Sequence, residues 1–248
     1  VPTTDIRPDD AAPRSFRLPW ILRACAAGLA ASALSATVGT FNFLANPRSA
    51  EMDWTWLAPA LVLFVVVTGL SLGLGVAGGM MALRGRAANP PGWRLVLGAS
   101  VGGALASVPP GILGIAGFGS QPGPYAGTLN IVGCSLLCAT VFVTLWAPRV
   151  ADRHTGPRTA GRRIALASAA ALVAALSFAA LAGTLVAALD LEPSFGWLKA
   201  TARDMGLVEF SIVAAAGLGA IFGAFIGAAT SIYVSLATVL GSPASARA

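Results

Sequence analysis

The chain has 248 residues, 56 % of them apolar and only 10 % charged, with a formal net charge of +6. A soluble domain typically carries about 25 % charged residues to keep its surface hydrated, so the composition excludes an ordinary water-soluble globule. A pI near 10.2 would suit a nucleic-acid partner, but the basic residues sit in the links between apolar runs, and no nucleic-acid partner is expected.

Residues 1–17 are polar, with Asp5, Asp9, Asp10 and three prolines. They read as a polar cytoplasmic N-terminal segment, disordered or lying on the membrane surface. Six apolar runs follow, at about 20–44, 54–83, 95–118, 125–147, 164–189 and 207–240. A helix crosses a hydrocarbon core in about 20 residues, and each run is long enough. The expected fold is all-α: a polytopic membrane bundle of six transmembrane helices forming one domain over 18–240, with a short cytoplasmic tail at 241–248.

Arg17-Leu18-Pro19-Trp20 opens the first run, proline starting the helix and tryptophan marking headgroup depth. Ala31-Ser32-Ala33 has the small-x-small look of a signal cleavage site, but the apolar run continues to Leu44, so the segment is expected to remain. Trp54 and Trp56 anchor the second run, and Asn89-Pro90-Pro91-Gly92 stops it firmly before the third. Gln121-Pro122-Gly123-Pro124 is too short for a folded insertion. The stretch 190–206 places Phe195, Leu198, Ala202 and Met205 near one helical face, which predicts a short interfacial helix.

Thirteen of the sixteen basic residues fall on one side of this six-span arrangement, and only Arg48, Lys199 and Arg203 fall on the other. Cytoplasmic links carry that excess in inserted proteins, so both termini are expected in the cytoplasm, with anionic lipid headgroups as a second use of the arginines. Basic residues before the odd runs (Arg17, Arg94, Arg163) and prolines after them (Pro47, Pro122, Pro193) hint at three repeated hairpins, a pattern that insertion rules alone also produce. Heavy use of alanine and arginine points to a bacterium and its inner membrane.

Several motifs carry chemistry elsewhere and lack its context here. Gly73-Leu74-Gly75-Val76-Ala77-Gly78 matches the spacing of a dinucleotide loop, yet it lies inside an apolar span with no strand or exposed helix start. Gly117-Phe118-Gly119 resembles a potassium-channel filter in three residues only, and Ile115 and Ala116 stand where hydroxyl residues are expected. Cys134 and Cys138, four apart, share a helical face, but metal sites need three or four ligands and His154 is the single histidine. No metal, cofactor or catalytic group is expected, and no aspartate, glutamate, lysine or histidine lies deep in a span to couple transport to protons.

Two features remain. Small residues at four-residue spacing occur as Gly219, Gly223 and Gly227, Gly69 and Gly73, Gly75 and Gly79, and Gly98 and Gly102. Such spacing leaves a flat groove that admits a second helix closely, either within the chain or from another protomer. Pro109-Pro110-Gly111 sits near the middle of the third run, where two missing donors should kink or unwind the helix. Asn42 and Asn130, with Thr128, Ser107 and Ser135, are the polar groups that could join a cavity there.

The sequence therefore predicts a non-catalytic accessory or structural subunit that docks through glycine-lined helix faces, in contact with membrane lipids and with a second copy or other membrane subunits. The alternative is a permease or channel-like protein for a neutral or apolar solute, built on a broken third helix.

Overall fold

A computed structural model describes residues 18–44, 54–84, 91–118, 128–151, 159–189 and 205–240. The described residues form an all-α fold of six helices with no strand: α1 Leu18–Leu44, α2 Trp54–Arg84, α3 Gly92–Phe118, α4 Thr128–Ala151, α5 Ala160–Ala188 and α6 Leu207–Val239. Five of them are long and apolar enough to cross a membrane, over Trp20–Val38, Ala58–Arg84, Gly92–Leu113, Ala160–Ala188 and Glu209–Val239. The multi-pass membrane character follows from those five. In α4 the described apolar stretch is Gly133–Pro148.

Helix ends extend beyond the apolar runs. The third begins at Gly92 and the fifth at Ala160, three and four residues before the runs at 95 and 164. Arg94, Arg162 and Arg163 are thereby helical, since a helix continues into the headgroup layer after its hydrophobic residues end. The interfacial helix expected over 190–206 lies almost wholly outside the described residues, as do the N-terminal segment and the tail.

Neighbouring helices close a ring in the order α1, α2, α3, α6, α5, α4, with α4 also touching α6 across it. Helices in contact run antiparallel in three pairs, α2 with α3, α1 with α4 and α5 with α6. Gly79 near the end of α2 meets Gly98 near the start of α3, the ring of Trp20 meets that of Trp146, and Arg162 reaches the Leu240 carbonyl. One consequence is that Arg23, Arg84, Arg94, Arg149, Arg162 and Arg163, the six described arginines, gather at one end of the bundle. Glu209, the one described acidic residue, lies at the other.

Among the described residues, the core sits at that basic end. Its members come from the first half of α1 (Ala24, Ala27, Ala31), the last third of α2 (Val76, Ala77, Met80), the start of α3 (Leu95, Ala99), the middle and end of α4 (Cys138, Phe142, Trp146), the first half of α5 (Ala167, Ala170, Ala174) and the second half of α6 (Phe225, Ile226, Tyr233). Aromatic rings pack where helices meet: Trp146 contacts Trp20 and Phe142 at centroid distances of 6.3 and 6.4 Å, and Phe178 meets Phe225 edge-on at 5.9 Å. Edge-on and tilted pairs of this kind add to the packing of their area.

Candidate functional site

The glycines sort into three helix pairs, all within this chain. Between α1 and α2, a methyl group at Gly28 would strike the Gly69 carbonyl, and one at Gly69 would stand 2.9 Å from the Leu29 Cα. A side chain at Gly73 would meet the Ala24 carbonyl. Between α2 and α3 the pairing is reciprocal: Gly79 with Gly98, and Gly75 with Gly102, each backbone oxygen occupying the other's missing side chain. Between α3 and α6, Gly219 faces Gly103 and Ser107, Gly223 faces Ala99, and Gly227 faces Leu95, with 2.8 Å between a side chain there and the Leu95 carbonyl oxygen. Dense backbone contact replaces lipid contact at all three seams, which is how helices associate where the solvent is itself apolar.

Helix α3 is therefore the central plate. Gly98 and Gly102 turn one face to α2, while Ala99, Gly103, Ser107 and Gly111, each four residues apart, turn another to α6. Two hydroxyls cross the second seam. Ser107 donates to the Ala215 carbonyl at 2.6 Å and to Ala104 in its own helix at 3.0 Å, and Ser100 donates to the Ala220 carbonyl at 3.0 Å. Gly28, Gly103 and Ser100 are not singled out by the sequence, and Ser107 is singled out there for a cavity and not for a seam. Their four-residue spacing carries the same signal as the glycine pairs, once serine and alanine are counted as small.

No unwinding is seen at the position where the sequence predicts a kinked or unwound turn. The helix runs unbroken from Gly92 to Phe118 with Pro109 and Pro110 inside it. Proline removes a donor at each position, yet the segment is held from the side: Pro110 is buried, and Gly111 presses against Ala215, whose Cβ would lie 2.5 Å from a side chain there. Packing against α6 keeps the helical path. Ser107 spends its hydroxyl on that contact. Asn42 and Asn130 fall in helical turns of α1 and α4, but their side chains lie outside the described residues.

The thiols also serve the packing. Ser35 of α1 donates to the Cys134 carbonyl at 3.2 Å, and the Cys134 thiol donates back to the Ser35 carbonyl at 3.8 Å. All three cysteines are free thiols. Among the described residues, no group of three or more histidine, cysteine or acidic side chains comes together to hold a metal.

Two further places stand out. A cleft of about 400 Å³ opens between α1 and α2, lined by Ala33, Ala36, Thr37, Leu61, Val62 and Val65 among others. Of its two threonines, Thr37 donates to the Ala33 carbonyl at 2.8 Å. The second place is the far half of α5. The stripe that buries Ala167, Ala170, Ala171 and Ala174 continues along the same face to Phe178, Leu181 and Leu185, but there the burial ends. Leu181 is 56 % exposed, Leu185 48 % and, across the gap on α6, Leu218 69 %. Residues 179–189 are exposed on every side of the helix.

No protein-family model matches the chain, and no curated protein or solved structure matches it either.

Proposed function

We propose that the chain is a non-catalytic integral membrane protein that serves as an accessory or structural subunit of a larger membrane assembly. In this reading α4 is the sixth span: its 24 residues make a rod about 36 Å long, placed between α1 and α5. Both termini are cytoplasmic, because the arginine-bearing helix ends lie together and such ends stay inside during insertion. The host membrane is then the inner membrane of a bacterium.

The observation that carries this reading is the far half of α5. It stands away from its own bundle over 179–189 and offers leucine and alanine faces that no other described helix covers. The glycine seams assigned to docking from the sequence are occupied by the chain's own helices, so α5 takes over that role. Its partner is a second copy of this chain or another membrane subunit. Extraction in mild detergent should bring down a stoichiometric membrane partner, and Leu181→Trp with Leu185→Trp should release it while leaving the bundle monodisperse. Recovery of a lone chain from the wild type would sink the proposal.

A second reading, a permease for a neutral solute, draws support from the core's confinement to one end, which leaves the other end loosely joined. Uptake of a neutral solute by vesicles holding the purified chain alone would move the conclusion to this reading.

A further inference from the structure

We propose that the basic end of the bundle binds the phosphate headgroups of anionic phospholipids around its whole rim. The inference rests on the membrane-spanning reading above. Arg23 on α1, Arg94 on α3 and the pair Arg162 and Arg163 on α5 carry it. Those three helices hold alternate places in the ring, separated by α2, α6 and α4. Positive charge is thus spread around the perimeter instead of collected into one patch. An annulus of headgroups meets every one of these residues, whereas an acidic protein docked from one side meets a single sector.

Two of the guanidinium groups are held in place by neutral partners. Arg162 donates from Nη2 to the Leu240 carbonyl oxygen at 3.3 Å, closing the end of α6. Arg94 lies 5.4 Å from the centroid of the Trp93 ring, a cation–π contact that orients it without cancelling its charge. The described carboxylate, Glu209, is at the opposite end and bonds to the Gly206 amide at 3.3 Å.

Arg162 and Arg163 sit in the first turn of α5, which contains no acidic residue, and Thr159 before it makes no side-chain cap. Two cations at the positive end of a helix repel it, and an anion from outside removes that cost. Guanidinium suits a phosphodiester particularly well, since its planar fork can donate two parallel hydrogen bonds. Trp93, 62 % exposed, and Trp20 place rings at the same level, the depth that tryptophan prefers in a bilayer.

The test uses the purified full chain in a neutral detergent, titrated with phosphatidylglycerol or phosphatidylcholine and read by native mass spectrometry. Wild type should retain phosphatidylglycerol preferentially, and each of R94Q, R162Q and R163Q should lower that preference, by about fivefold for an arginine near an anionic surface. R94K keeps the charge but not the fork and should retain more of the preference than R94Q, which separates charge reading from misfolding. Inorganic phosphate should fail to displace the lipid. Equal retention of both lipids, or an undiminished preference in the glutamine variants, overturns the proposal. Displacement by inorganic phosphate also overturns it, by making this a free-phosphate site. So does co-purification of an acidic protein that R94Q and R162Q release. Because the assay needs no partner subunit, its outcome is independent of the search for one along α5.

Discussion

The two ends of the bundle obey different packing rules. At the basic end every helix contributes to a common core, and Trp146, Phe142, Met80, Leu95 and Ile226 are fully enclosed. Toward the other end α3 and α6 stay in contact through Ser107, Gly111 and Ala215, while α5 diverges and turns Leu181, Leu185 and Leu189 outward. In water that divergence would be costly, at about 25 cal/mol per Å² of apolar surface. In hydrocarbon it costs little, because lipid tails are as apolar as leucine and helices associate only through close fit and hydrogen bonds. The difference teaches that hydrophobicity decides which segments enter the membrane, and small residues decide which of them touch.

Breaking the tight seam should have the largest effect, and α6 supplies its own control. Gly223→Leu drives a side chain into the Ala99 carbonyl on α3, whereas Gly217, less than two turns away, has open space where its side chain would be. The first should lower stability by about 3 kcal/mol or more and the second should leave thermal unfolding in detergent unchanged. Gly98→Leu tests the α2 seam in the same way.

Emptying the core comes next. Phe225→Ala removes a buried ring that Phe178 and Phe222 touch and should cost about 3 kcal/mol, whereas Leu181→Ala at the open end should cost under about 0.5 kcal/mol. Equal losses at both sites would mean that α5 is packed along its whole length, and the contrast between the ends would fail. A smaller effect is expected for Ser107→Ala, which removes the bond to the Ala215 carbonyl, of the class worth about 0.6 kcal/mol between membrane helices. Thr37→Ala should be neutral, since its bond stays within one exposed turn of α1. Orientation is checked separately. A cysteine replacing Arg158 should resist impermeant thiol reagents applied to the outside of intact cells and react after permeabilisation.

Much of the architecture was legible because a 20-residue apolar run permits so few structures in lipid. Helix positions followed from run length, and the gathering of Arg23, Arg84, Arg94, Arg162 and Arg163 followed from antiparallel succession alone. The candidate site was less legible. Proline chemistry at Pro109 and Pro110 argued for a break, but the lateral contacts of Ser107 and Gly111 with α6 were invisible in sequence. Residues more than a hundred positions apart supply them.

By itself, the order of residues determined the all-α class, the placement of apolar helices, and the gathering of charge at one end. Tertiary structure decided which glycine meets which: Gly79 with Gly98, Gly103 with Gly219, Gly28 with Gly69. It also decided that α5 follows the bundle for half its length only. The physical reason is that a small residue states only that something may come close. What comes close is chosen by the complementary shape of another helix, and shape matching between distant segments leaves no mark in the periodicity of either one.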